Sequence, residues 1–270
     1  MGPLLSYVEL NQAINNCHQR NALAVAFVPV GCTEQHGPLL PLQTDSLIAE
    51  GIATALASAL DKERFWGFVF PALHYTPTRS NAAYPGTVTI EEDTLRALAR
   101  DILEGVAGNG FEAVVFVSGH GPADPILREI CFKAVSRQYA GSITPIRPAI
   151  LVSLSQHGHV LEELFGLDVG RHADWRELLF LMHTLGEAYF TKERLEALAE
   201  FQRNNSFEST QSLVIGVPLE RRSVQGVIGD PIPQGRSDWM DMARQAWDAT
   251  VSHLAALLQK DLETHSRPWS

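Results

Sequence analysis

Cysteine is scarce: Cys17, Cys32 and Cys131 are the three in 270 residues. An odd number with no C-x-x-C spacing argues against a disulfide framework and is the usage expected in a reducing compartment. No run of about 18 apolar residues occurs, so no transmembrane helix is expected. The N-terminus also lacks the charged region and apolar core of a signal peptide, which makes a cytoplasmic location the expectation. Positive charge is in short supply as well. Lys and Arg number 21 against 31 Asp and Glu, a formal net charge of −10, and no basic run is present. Sequence-independent binding to nucleic acid or to an anionic membrane relies on clustered Lys and Arg, so neither partner is expected. The chain contains no G-x-G-x-x-G, no P-loop and no G-x-S-x-G elbow, which removes the commonest dinucleotide, nucleotide and serine-hydrolase signatures.

What is present is a core. Hydrophobic residues make up 45% of the chain, with no linker, repeat or low-complexity tract. Short apolar runs at Ala24–Val30, Gly67–Leu73, Ala113–Ser118 and Pro148–Ser153 predict buried strands. Amphipathic patterns predict helices at Asp45–Leu60, Ile90–Gly108 and Asp124–Gln138, then at Asp174–Tyr189, Lys192–Arg203 and Ser237–Leu258. Asp241, Arg244, Asp248 and Ser252 would form a polar stripe on the last of these. The β-α-β-α alternation predicts an α/β fold, a mainly parallel sheet with helices on both faces. The expectation is one domain over residues 1–270, with a loose tail from about Thr264 to Ser270.

Sites in such sheets gather at the C-terminal ends of strands. The run Ala24–Val30 is followed by Gly31-Cys32-Thr33-Glu34-Gln35-His36-Gly37-Pro38, and Asp45 comes nine residues after His36. In an extended segment Glu34 and His36 point the same way and could share one metal or reach two. Carboxylate and imidazole donors suit Zn²⁺, Mn²⁺ or Fe²⁺. Asp45 equally fits the first turn of a helix, where Asp is favoured. His120 follows another strand, in Gly119-His120-Gly121, and the flanking glycines permit close approach of backbone to a ligand. His172 opens a helical pattern with Asp174, Trp175, Arg176 and Glu177, which also reads as an ordinary charged first turn. His157 and His159 flank Gly158, but no third donor near them in sequence supports a metal site, so they read as structural or surface residues. Tyr84-Pro85-Gly86-Thr87 and Gly226-Val227-Ile228-Gly229-Asp230-Pro231 predict tight loops and nothing more.

Taken together, these motifs resemble the creatininase (creatinine amidohydrolase) family, in the family's order and over most of the chain. The resemblance implies an α/β domain with a parallel core, a two-metal site, and a homo-oligomer, commonly a hexamer. It implies that Glu34 and His36 each hold one metal, that Asp45 bridges both, and that His120 completes the set. Glu177 becomes the candidate fifth ligand, and His172, with Glu177, the candidate catalytic group. Two segments depart from the family. Gly121-Pro122 stand where creatininases proper carry a Tyr and a metal-binding Glu, and His172-Ala173-Asp174-Trp175-Arg176-Glu177 lacks the usual Gly and Thr-Ser. Creatinine is therefore not the expected substrate. Asp174, Trp175 and Arg176 are candidate substrate-binding residues, and Arg176 could pair with a carboxylate or phosphate.

The activity implied is metal-dependent hydrolysis of a C–N amide bond by an activated water, with two divalent ions (Zn, Mn or Fe) as cofactors. The expected substrate is a small non-peptide amide, cyclic or linear, although family members also include one that trims a small peptide precursor. Two other readings stand beside it: a non-catalytic binding or scaffold subunit, and a metal-dependent amide-forming transferase or cyclase.

Overall fold

The computed structural model describes residues 5–134, 148–207 and 219–265. Four strands form one parallel sheet: β1 (Leu23–Val30), β2 (Phe65–Val69), β3 (Ala113–Ser118) and β4 (Ala149–Ser153), in the order β2-β1-β3-β4. Eight α-helices among the described residues surround it: α1 (Tyr7–Gln19), α2 (Thr44–Ala59), α3 (Glu92–Ala107), α4 (Asp124–Ala134), α5 (His159–Phe165), α6 (Trp175–Tyr189), α7 (Lys192–Asn204) and α8 (Trp239–His265).

Strand residues alternate between two hydrophobic layers, as the two-residue period of a pleated strand requires. Val25, Phe27, Val115 and Val117 pack with residues of α2, α6 and α8. Ala24, Ala26, Val28, Val114 and Phe116 pack with residues of α1, α3 and α4. Both faces are therefore covered, and β1 and β3 read as continuous apolar runs for that reason.

The register fixes where the site can be. Val30 pairs with Ser118, and Ser118 with Ser153, so β1, β3 and β4 end level with one another. The chain leaves β1 to build β2 on one side, then returns to add β3 on the other. The adjacent C-terminal ends of β1 and β3 are thus a topological switch point, where a crevice opens. Gly31–His36 and Gly119–His120 begin there.

Several expectations shift. The second strand runs Phe65–Val69 rather than Gly67–Leu73, because Pro71 has no N–H for a continued ladder. Beyond it Phe70 N–H still donates to Phe27 O, and Leu73 returns to the sheet as an isolated bridge to Val30. Helix α8 continues through Thr264 and His265, which were expected in the tail. Residues 135–138 and 266–270 of the expected elements lie outside the described residues. Helices α1 and α5 carry no strong apolar period in sequence. The first is fixed instead by a capping box, in which Ser6 and Glu9 exchange side-chain and backbone hydrogen bonds. No helix among the described residues is long and apolar enough to cross a membrane.

Candidate metal centre

Two glycines let the ends of β1 and β3 meet the start of α2. A Cβ on Gly31 would lie 2.3 Å from the Ser46 backbone nitrogen, and one on Gly119 would lie 2.4 Å from the Asp45 carbonyl oxygen. Only glycine permits that approach. It brings Asp45, buried in the first turn of α2, between Glu34 and His36 on one side and His120 on the other.

The carboxylate of Asp45 faces both ways. Its Oδ1 lies 3.1 Å from His36 Nε2, and its Oδ2 lies 2.9 Å from His120 Nδ1. His120 Nδ1 is also 3.4 Å from Glu34 Oε1. On the other side, His36 Nε2 is 3.7 Å from Glu177 Oε2. His172 Nδ1 approaches Glu34 Oε1 at 3.6 Å. Glu34, His36, Asp45, His120 and Glu177 are all buried. The sequence-predicted donors from four separate elements are therefore brought together.

Each imidazole is oriented by a backbone carbonyl. His36 Nδ1–H donates to Glu34 O at 3.1 Å, His120 Nε2–H donates to Pro77 O at 3.1 Å, and His172 Nε2–H donates to Gln35 O at 2.7 Å. A carbonyl only accepts, so these contacts set the tautomer and leave the other ring nitrogen of all three facing the centre. Metal-binding imidazoles are held in this way. Asp45 Oδ2 is buried and makes no hydrogen bond of its own, despite its contact with His120. A proton or a metal ion between them satisfies both groups.

The electrostatics say the same. Burial pushes the Glu34 carboxyl up, but the hydrogen bond and charge of His120, then the charge of His172, win and hold it at about 2. Asp45 is likewise held below the carboxylate range against burial, by His36 and His120. Burial disfavours a charged His36, yet Asp45, Glu177 and Glu34 raise it to about 10. His120 is raised well above its ordinary value by Asp45 and Glu34, again against burial. Three buried carboxyl groups thus draw protons onto two imidazoles when no other cation is at hand. Burial is the main reason Glu177 rises to about 7, and burial followed by the charge of His36 lowers His172 to about 4. His172 is therefore neutral at pH 7, with Nδ1 free to take a proton. Cys32 lies near Glu34 and His120. Burial raises its thiol to about 11.

The substrate-side expectations divide. Trp175 is buried in the core, its indole N–H donating to Asp168 O at 2.8 Å and its ring edge-on to Phe165. It does not line the crevice, because the first turn of α6 points it inward. Asp174 is the N-cap of α6, accepting from Glu177 N at 3.2 Å, and does not line the crevice either. Arg176 does line it, but its guanidinium is taken up by Glu177 at 3.3 Å and Asp174 at 3.7 Å. Arg176 therefore positions Glu177, whose Oε2 also accepts from Ala173 N at 2.8 Å. Ala173 adopts a left-handed φ of 54° to aim that N–H, a conformation that costs a non-glycine residue roughly 1 kcal/mol.

Sequence reasoning missed the residues that hold the donors. Thr78 and Asn81 come from the loop after β2. The Thr78 hydroxyl donates to Glu34 Oε2, and Asn81 Nδ2 donates to the same oxygen at 2.6 Å. Gln35 is a hub. Its side-chain amide donates to Asn81 Oδ1 at 3.0 Å and Gly226 O at 3.1 Å, while its backbone N–H donates to Thr87 Oγ1 at 3.0 Å. The two turn motifs therefore clamp the residue that orients His172. Gly226, at φ 82°, has no room for a Cβ against Gln35. Asp124 binds Ser153 and Ser155 at the end of β4. Arg171 and Arg222 join Arg176 in lining the crevice, a cavity of about 200 Å³.

Residues 11–258 match the Creatininase family, described as creatinine amidohydrolase. The chain belongs to the creatininase family. Over 101 residues it is 36% identical to the mycofactocin precursor peptide peptidase of Mycolicibacterium smegmatis, a match spanning 36% of this chain and 39% of that one. It is 30% identical over 101 residues to the creatinine amidohydrolase of Pseudomonas putida, spanning 36% of this chain and 37% of that one. These matches cover less than two thirds of either relative. A crystal structure of creatinine amidohydrolase shares the fold, with a TM-score of 0.73 at 18% identity over 96% of both chains. Solved creatininases include Zn–Zn and Mn forms.

Proposed function

We propose that this creatininase-family chain is a metal-dependent amide hydrolase. The observation that carries the proposal is the convergence of Glu34, His36, Asp45, His120 and Glu177, with the ring nitrogens of His36 and His120 turned inward by backbone carbonyls. Glu34, His120 and one oxygen of Asp45 would hold one divalent ion. His36, Glu177 and the other oxygen of Asp45 would hold a second. Bound ions of this type supply Lewis-acid polarisation of a carbonyl and lower the pKa of water toward neutrality.

The chain's own residues do the rest. Arg176 and Ala173 fix the Glu177 carboxylate, and Thr78 and Asn81 fix that of Glu34. His172, neutral and with Nδ1 facing the centre, accepts a proton during attack and returns it to the departing nitrogen. The crevice is walled by residues of α2, α6 and the β3–α4 turn.

Arg171 at the crevice suits an amide whose departing or acyl part bears a carboxylate. That chemistry covers both a small acidic amide and the C-terminal end of a peptide. The peptide-peptidase name of the mycobacterial relative removes the reason to restrict the substrate to non-peptide amides. A homo-oligomer remains part of the proposal, and sedimentation of the full chain measures it.

The test is hydrolysis of a panel of small acidic amides and short peptides by protein stripped with chelator, then reloaded with Zn²⁺ or Mn²⁺. Activity should vanish and return with metal. Full C–N hydrolysis by metal-free protein would overturn the reading.

A further inference from the structure

A second histidine cluster lies away from the crevice. His157 ends the 3-10 turn Leu154–His157 after β4, His159 opens α5, and His253 lies in α8, about ninety residues further along the chain. The ring centroids of His253 are 5.3 Å from His157 and 5.6 Å from His159, and those two are 6.0 Å apart. The rings meet tilted or edge-on rather than stacked, with interplanar angles of 60°, 85° and 43°. One nitrogen of each lies within 4.8 Å of one nitrogen of both others.

Two further observations give this geometry a direction. His157 Nδ1 and His253 Nε2 are both shielded from solvent and have no hydrogen-bond partner. A buried imidazole nitrogen left unpaired is unfavourable, and two in one cluster need a common explanation. His159 is exposed, so the cluster is open to an ion from solution. Burial, followed by the neighbouring His253 and His159, also lowers the pKa of His157, which keeps it in the neutral form that binds metals.

We propose that His157, His159 and His253 form a separate site for a divalent transition-metal ion of the zinc type, with water completing the coordination. Zn–N bonds of about 2.0–2.1 Å in tetrahedral geometry put ligand nitrogens about 3.3 Å apart. Small side-chain rotations close the present spacing to that value. Three imidazoles and no carboxylate favour Zn²⁺, Ni²⁺ or Cu²⁺ over Mg²⁺, Ca²⁺ or Mn²⁺. The ion would pin the turn after β4 and the start of α5 to α8. Helix α8 packs on α6, whose first turn carries Glu177, so the pin lies behind one wall of the crevice. The proposal is independent of what the crevice hydrolyses.

Equilibrium dialysis of the full chain at micromolar free Zn²⁺, with metal counted by mass spectrometry, tests it. Wild type should hold one more zinc per chain than His253→Gln, and one more than His159→Gln, whose position is exposed and whose folding is therefore secure. Circular dichroism checks that both variants are folded. Cu²⁺ bound to wild type should show, beside any signal from the crevice, a second electron paramagnetic resonance component with nitrogen coupling that both variants lose. Zinc should also raise the melting temperature of wild type by about 5 °C more than that of either variant. Equal zinc counts in wild type and folded variants, or a copper signal unchanged by both substitutions, would overturn the site.

Discussion

Two groups of three histidines occupy this molecule, and they are built differently. His36, His120 and His172 each donate one ring N–H to a backbone carbonyl and turn the other nitrogen toward three buried carboxyl groups. His157, His159 and His253 have no carboxylate in their group, and two of their nitrogens have no hydrogen-bond partner. The first group is locked by surrounding polar residues, and its imidazoles face three buried carboxyl groups. The second has no carboxyl group in it and two unpaired nitrogens, and suits a single ion. What distinguishes a catalytic arrangement from a simple binding one here is the supporting shell and the charge, because the number of imidazoles is the same.

The largest blow to the first group should come from its shared donor. Asp45→Asn removes the negative charge facing both positions, and metal content should fall from about two ions per chain to below one, with hydrolysis down at least about 10³-fold. The His253 site should keep its zinc in this variant. Loss from both clusters at once would break the comparison.

His172→Gln comes next. Hydrolysis should drop about 10²–10⁴-fold, the range for losing a positioned general base, while metal content in the crevice stays constant. If metal departs with activity, His172 is a ligand and the proton-transfer role is wrong. Asn81→Ala removes a hydrogen bond to Glu34 together with the Asn81 contacts to Gln35 and Thr78, neither of which is a metal donor, and should weaken metal binding about 10–100-fold without changing the number of ions at saturation. Competition titration against a chromophoric chelator measures this. No comparable neighbour exists for His157 or His253 among the described contacts.

Proton competition gives a further contrast. In the metal-free crevice, His36 is raised to about 10 and His120 well above its ordinary value, while Glu177 is raised to about 7. All three are protonated wholly or in part at pH 6, and an entering metal must displace those protons. Affinity at the crevice should therefore rise with pH between 6 and 8, by about tenfold per unit for each proton displaced. Calorimetry in buffers of different ionisation heats should report net proton release. Flat affinity across this range would contradict the charge balance described for the crevice. The smallest expected effect is Ala173→Gly, which relieves the left-handed strain and should raise stability by roughly 0.5–1 kcal/mol, read by denaturant titration. A loss instead would mean that the Ala173 methyl, buried beside Gly37, contributes more packing than the strain costs.

Glu34, His36 and His120 were legible as candidate donors because they sit just after apolar strands, whereas the roles of Asp45, His172 and Glu177 came from the resemblance to the creatininase family, since spacing alone left them as residues of a first helical turn. Glu34, His36, Asp45, His120, His172 and Glu177 were all named from sequence, and the structure brings them to one crevice. Trp175 and Asp174 were misplaced for a local reason. Helical spacing shows that they neighbour His172 but not which way α6 is rotated, and that rotation buries the Trp175 ring beside Phe165 and makes Asp174 a cap. Thr78, Asn81 and Gln35 gave no sequence signal, because polar residues in loops and turns are common and only their partners make them informative.

By itself the sequence determined the alternating strand and helix pattern and the parallel sheet, which follow from apolar periodicity. It named the charged donors as a set only through motifs that resemble those of the creatininase family. Tertiary structure decided which donors share an oxygen of Asp45, which carbonyl fixes each imidazole, and that His253 joins His157 and His159. Apart from the local contacts of His36 with Glu34 and Asp45, these join residues about forty to one hundred and forty positions apart, and they are set by strand register, by the glycines that admit α2, and by the packing of α8. Spacing along a chain cannot encode them, because each depends on where two separately folded elements come to rest.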